Sequence, residues 1–417
     1  MGRTYKQLDF LGWKFTITPI RFILTGFVAI CAAIIVVRLL TGFGLVTNLN
    51  DQWPWGLWIA FDDMVGVALA GGGYGSALLV YSFRYQKYEE VARGALLTSL
   101  FGYILVMVGL LLDIGQWHNF WRPMVSMGYT SVLFAVLVCV SIYVTVAGLQ
   151  FFCEIVTERI SERVNKIAMK IVPFLIFIGL IFPVIHQATL GGLFLIMKSK
   201  MDPIWWSELM PLYFLLSSFF VGSAMLCLET ELARRAYSHT IPVDVLKMLS
   251  RVGGRVMIAY VLIRFGDLYW NDKIAFLFDG SFSSNMFWLE MVAGIFIPIA
   301  IIFSSLANQR AWLVIYGTLT VGGVILNRMN YTFTSMLSYH GTGYFPSIWE
   351  ILISIGLVSL GCLIYCFIVE NFNILGGAHA IQTKILNSFA NSENSWAKWI
   401  AMGKQYQDEV HAQSKKI

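Results

Sequence analysis

Residues 20–42 read IRFILTGFVAICAAIIVVRLLTG. As a helix rising about 1.5 Å per residue, the run is long enough to cross a hydrocarbon core of ~30 Å. It has none of the polar–apolar alternation that a barrel strand needs. Similar runs recur near 56–82, 94–115, 129–152, 170–192, 209–228, 254–270, 285–306, 311–328 and 347–369; the seventh of the set is interrupted by Arg264 and Asp267. Lipid offers the backbone no hydrogen-bond partners, so only helices and closed barrels span it, and the missing alternation selects helices. The expected fold is an all-α, polytopic membrane protein of about ten transmembrane helices. A segment over 1–19 precedes the membrane domain of 20–369, and a polar tail over 370–417 follows it.

Composition agrees. Of 417 residues only 13% are charged and 58% are hydrophobic, against about 25% charged in soluble domains; mean hydropathy is +0.70. A water-soluble globule and a disordered chain are both excluded. Six Cys and 36 Gly without a triplet period exclude disulfide-rich and collagenous classes.

Lys and Arg set the orientation. With both termini in the cytoplasm, 22 of the 29 basic residues fall on the inner side, in the first segment, the 83–93, 153–170 and 229–255 loops, Arg310 and the tail. The positive-inside rule therefore predicts cytoplasmic termini, and the net charge of +5 reflects loops at an anionic leaflet rather than nucleic-acid binding. The polar, basic stretch before the full-length first run reads as the lead-in to an anchor helix, not as a cleavable signal.

Redox groups are constrained by the same reading. A membrane haem b takes two facing histidines, and of His118, His186, His239, His340, His379 and His411 only His186 lies well within an apolar run. The six cysteines form no CxxC pair and no cluster. Neither haem, iron–sulfur cluster nor metal is expected in this chain.

Ionisable groups inside spans cost a few kcal/mol each, which makes them candidates for function. One set lies at the outer start of the second span: Trp55, Trp58, Asp62 and Asp63. In a regular helix the first three share a face. A second set closes the third span at the same side: Asp113, Trp117, His118 and Arg122. Aromatic rings, hydrogen-bond donors, carboxylates and an imidazole on a hydrophobic rim suit a quinone, whose carbonyls need donors and whose redox cycle exchanges protons. Tyr103, Glu154, His186, Glu229, Asp267 and Glu290 are further polar groups able to line a proton route, although Arg264 and Asp267, at i and i+3, also suit simple mutual neutralisation. Gly66, Ala70, Gly73 and Ala77 form a small-residue stripe suited to close helix packing. The third span ends Asp113-Ile114-Gly115-Gln116-Trp117 and the seventh ends Gly266-Asp267-Leu268-Tyr269-Trp270, an echo compatible with two related four-helix bundles plus two extra helices.

At these residues the chain resembles the NrfD/PsrC family of membrane quinone-reactive subunits, in particular the HybB-like branch that accompanies nickel–iron hydrogenases. The resemblance rests on Pro54–Asp62, Gly66–Tyr74, Asp113-Ile114-Gly115, Asn119-Phe120-Trp121, Leu326–Asn330, Tyr344–Ser347 and Trp349-Glu350. It implies a haem-free subunit of two four-helix bundles that exchanges electrons between a periplasmic ferredoxin-like iron–sulfur subunit and menaquinone or ubiquinone near the outer face. The catalytic metal then belongs to a separate catalytic subunit, a hydrogenase or another oxidoreductase. The resemblance maps the quinone pocket onto Trp55, Trp58, Asp62, Asp113 and His118, and a proton route onto Tyr103, His186 and Glu229. Ala135 stands where relatives carry Glu, and relatives often carry another near Gln150, so the proton route here is either altered or taken over by Glu154. A secondary transporter is the rival reading, but the unusual residues cluster at one face rather than at the midplane.

Overall fold

The computed structural model describes residues 6–10, 13–50, 53, 55–71, 89–126, 128–237, 240–340, 344–372 and 374. After a short hairpin, the described chain is built on long helices. Helix α1 is Pro19–Thr41. Helix α2 opens as a wide π-helical turn at Trp58–Val65 and is described to 71. Then follow α3 (Glu89–Asp113), α4 (Val132–Val156), α5 (Val172–Leu193), α6 (Met210–Tyr237), α7 (Val243–Trp270), α8 (Phe282–Phe303), α9 (Arg310–Leu337) and α10 (Ile348–Asn371). Eight of them are long and apolar enough to cross a membrane. The exceptions are α2, whose predicted second half lies outside the described residues, and α7, which is long but polar.

Local chemistry starts and stops these helices. Thr18 caps α1 by accepting the Arg21 amide at 3.2 Å, with Pro19 in the first turn. Gly42, at φ 82°, ends α1 with its amide on the Arg38 carbonyl. Ser347 and Glu350 form a reciprocal capping box on α10. One helix length and one terminal segment depart from expectation. The predicted 229–255 loop is mostly helical, because Glu231 pairs with Arg234 and Arg235 one turn away and carries α6 past the apolar boundary. The first segment, expected only to be polar, forms an antiparallel hairpin of β1 (Lys6–Phe10) and β2 (Trp13–Ile17), with Lys6 opposite Ile17. Trp13 and Phe15 pack on Phe367 at the end of α10.

Helices α2–α5 pack as one bundle and α6–α9 as a second, joined where α5 meets α6 and α2 meets α9. Helices α1 and α10 pair with each other and lean on α3. Two bundles plus two extra helices is the arrangement expected from the sequence echo. The Lys14 amide donates to Asn371 and Arg21 binds Glu370, so both ends of the described chain lie at one end of the molecule. The 370–417 tail lies, from 375 onward, outside the described residues.

Glycine permits the tightest crossing. A Cβ on Gly294 of α8 would stand 2.6 Å from the Gly323 Cα of α9. Ala70 of the predicted stripe meets Gly102 of α3 equally closely, as close packing requires, while Gly73 and Ala77 fall outside the described residues. Gly294→Ala should therefore destabilise the detergent-solubilised protein by roughly 1–3 kcal/mol through overpacking. Gly322→Ala, with open space around it, should be neutral or gain up to about 1 kcal/mol from helix propensity. Thermal unfolding of both variants is the measurement.

Candidate functional site

The first bundle concentrates its carboxylates at the end where α1 and α3 finish. Asp62 and Asp63 sit in the wide turn of α2, which carries an extra residue relative to an α-helix and so rotates its neighbours. Asp62 packs over Gly109 of α3 and accepts a hydrogen bond from Ser354 Oγ of α10 at 2.7 Å. Asp63 is buried on the other side, within electrostatic range of Asp62 and Asp113, and its Oδ1 has no hydrogen-bond partner among the described residues. Asp113 closes α3 beside Arg38 and Glu350. Arg38, on α1, is fully buried; it donates from Nε to the Leu112 carbonyl at 2.9 Å and from Nη2 to the Ile114 carbonyl at 2.6 Å, and lies over the Phe43 ring. Glu350 is enclosed: Asn48 N donates to it at 2.9 Å, and Tyr344 Oη donates to its other oxygen.

The predicted aromatic face divides. Trp55 precedes α2 and sets its edge on Phe194, centroids 5.1 Å apart. Trp58, inside the wide turn, stacks near Phe43 and donates Nε1 to the Glu350 carbonyl at 3.4 Å. The two indoles therefore address opposite neighbours, because Trp55 is not helical and the wide turn breaks the 3.6-residue period. The Asp113 end continues into a short turn, Trp117–Asn119. There Trp117 donates to the Leu39 carbonyl at 3.0 Å, while His118 and Arg122 are exposed at the rim.

From Asp63 a polar file descends through the bundle. Tyr103 is within range of Asp63, lies 4.1 Å from the Tyr143 ring and meets the His186 ring edge-on at 5.7 Å. Tyr143 and Ser99 share a 2.5 Å hydrogen bond. Among the described residues, Tyr103 Oη, both His186 nitrogens and both Gln187 side-chain atoms are buried without a partner. A cavity of about 10 Å³, lined by Gly71, Pro183, Gln187 and Ser218, adjoins them and has room for one water. Further on, Glu229 accepts from Tyr365 at 2.8 Å, and Glu154, in a second wide turn, accepts from Gln150 at 2.8 Å.

The second bundle treats its charges differently. Glu290 accepts from Asn327 at 2.7 Å and from Asn330 at 2.9 Å. Asn327 Oδ1 in turn accepts from Arg328 Nη1, which fixes the amide orientation and bridges the two charges. Arg264 donates to the Ile204 carbonyl at 3.1 Å inside a cage of Tyr213, Tyr331, Trp205 and Phe287. Mutual neutralisation with Asp267 does not occur: Asp267 is half-buried and accepts from Asn271 at 2.9 Å. Two residues of the site, Arg38 and Ser354, are absent from the sequence-based candidates. Arg38 was legible as a charge inside an apolar run; Ser354 gave no signal.

Among the described residues no group of three or more His, Cys, Asp or Glu could hold a metal ion, and His186 is the one imidazole buried in a span.

The sequence profile described as "Polysulphide reductase, NrfD" matches residues 45–339. The chain belongs to the NrfD family. Among its relatives, the probable Ni/Fe-hydrogenase 2 b-type cytochrome subunit of Escherichia coli is 32% identical over 372 residues, covering 88% of this chain and 94% of the relative. That likeness places the chain in the HybB-like branch. The integral membrane subunit of menaquinone reductase from Nitratidesulfovibrio vulgaris is 25% identical, covering 68% and 73%. A selenate reductase subunit of Mesobacillus selenatarsenatis is 22% identical, covering 84% and 92%.

Asn327 carries a direct energetic prediction. Asn327→Leu leaves a buried guanidinium and a buried carboxylate each short of a partner, and should cost on the order of 3–5 kcal/mol. Asn330→Ala, which removes one donor from Glu290, should cost about 1–3 kcal/mol. Thermal unfolding of the purified protein ranks the two.

Proposed function

We propose that the protein is the integral membrane subunit of a respiratory oxidoreductase and exchanges electrons between a partner iron–sulfur subunit and membrane quinone. The observation that carries this reading is the convergence of Asp62, Asp63 and Asp113 at one end of the first bundle, continued by the Tyr103–His186 file. The relatives support it by name: one is a menaquinone reductase subunit, and others belong to a hydrogenase and a selenate reductase. Bound quinone supplies two-electron chemistry coupled to two protons. Asp113 and Asp63 stand where a ring carbonyl could exchange those protons. Trp55 and Trp58 flank the entrance to α2, and exposed Trp117, Phe120 and Trp121 supply an apolar rim. Tyr103, His186 and Glu229, with water satisfying the orphaned polar atoms, pass protons toward the opposite end. Glu290, held by two amides and bridged to Arg328, serves as a fixed charge, and Asp267 lies outside the route.

In this reading the carboxylate end faces the periplasm, both termini lie in the cytoplasm, and the membrane is the bacterial or archaeal inner membrane. A ferredoxin-like iron–sulfur subunit docks at the carboxylate end, and a separate catalytic subunit determines the complex's substrate. The subunit itself is haem-free, in contrast to the b-type cytochrome named for the Escherichia coli relative. An absorption spectrum of the purified complex tests this last point, since a Soret band assigned to this chain overturns it.

In the purified complex, Asp113→Asn and Tyr103→Phe should each lower quinol-linked turnover by about 10–100-fold, with subunit assembly intact. Asp267→Asn should leave turnover unchanged. Unaltered kinetics in the first two variants would remove the carboxylate end from the account.

A further inference from the structure

The two helices outside the bundles reach into the carboxylate cluster from different elements. Ser354, on α10, is buried and aims its hydroxyl at Asp62 Oδ2, 2.7 Å away. Arg38, on α1, holds the carbonyls of Leu112 and Ile114, the residues on either side of Asp113. Its third nitrogen, Nη1, is buried without a hydrogen-bond partner among the described residues, and Asp113 lies within electrostatic range. An arginine three residues from the end of a lipid-facing helix would ordinarily snorkel into water. Arg38 is instead 0% exposed and turned inward, a placement that costs energy unless the charge is used. It faces the C-terminal end of α3, where unpaired carbonyls carry partial negative charge. The segments that follow α1 and precede α10 enclose Glu350 of α10 through Asn48 and Tyr344, and Tyr344 Oη also accepts the Leu57 amide at the start of α2.

We propose that Arg38 and Ser354 are positioning residues for Asp113 and Asp62, so that the α1–α10 pair completes the quinone site. The proposal rests on the quinone reading above. Arg38 fixes the backbone on both sides of Asp113 and supplies the positive charge beside its carboxylate. Ser354 sets the rotamer of Asp62 and occupies one of its oxygens, leaving the other to face the bundle. Neither residue touches the quinone. Other charged and titratable groups facing the pair are Asp63, Glu350, Cys31 and Tyr344.

The test uses the complex purified from its native membrane, with two readouts. Infrared spectra follow the carboxyl stretching bands that Asp62→Asn and Asp113→Asn each remove. Turnover with a water-soluble quinol analogue gives kcat and KM. Ser354→Ala should shift the Asp62 band and Arg38→Gln the Asp113 band, each lowering kcat about tenfold. Ser354→Thr and Arg38→Lys, which keep the hydroxyl and the charge, should restore most of that loss. In an Asp113→Asn background, Arg38→Gln should change kcat less than about twofold, because the group it acts through is already gone. Unmoved bands overturn the proposal, as do losses at Arg38 and Asp113 that multiply. If Arg38→Gln does not assemble, Ser354→Ala, which removes a single hydroxyl, decides by the same criteria. Shifted bands together with unchanged turnover in Asp113→Asn overturn the quinone reading itself, and with it the assignment of this pair to a quinone site.

Discussion

A charge buried among membrane helices has no water to turn to, so it depends on partners supplied by the protein around it. That constraint organises the two bundles differently. In the second, Arg328, Asn327 and Glu290 close a chain of hydrogen bonds and Arg264 rests among aromatic rings, while Arg264 Nε, Arg328 Nε, Tyr213 Oη and Tyr331 Oη are buried with no partner among the described residues. In the first, Asp63, Tyr103, His186 and Gln187 keep buried polar atoms with no partner among the described residues. The two bundles share an architecture and differ in which buried charges are hydrogen-bonded to one another.

The membrane fold was legible because hydrocarbon thickness writes itself into run length, and the two-bundle plan because helix direction alternates along the chain. Helix ends were less legible. Run length marks where lipid ends, but α6 continues on the strength of the Glu231 pairs with Arg234 and Arg235, which hydropathy scores as loop. The hairpin was not legible because β1 and β2 are short and acquire their packing partner, Phe367, from the opposite end of the chain.

At the site, identity was easier to read than direction. Asp62, Asp63 and Asp113 stood out as acids in apolar surroundings, and the structure brings them together. The shared face of Trp55 and Trp58 did not survive, since a wide turn cannot be foreseen from residue spacing. Arg38 falls on the outer side by charge counting, which says on which side of the membrane a residue lies and nothing about its depth. Asp267 looked internal because its sequence neighbours are apolar, yet it borders solvent beside Asn271.

The pairing of α1 with α10 has a bearing on biogenesis. Helix α1 must wait for α10, more than three hundred residues later, before its principal packing surface and the hairpin's docking site exist. Contacts this distant in sequence form late and slowly. Until α10 inserts, Asp62 lacks its serine and the end of α3 lacks half of its wall. Asp62, Asp63 and Asp113 are therefore in place on α2 and α3 before α10 arrives, and the hydrogen bond that holds Asp62 is completed only when it does.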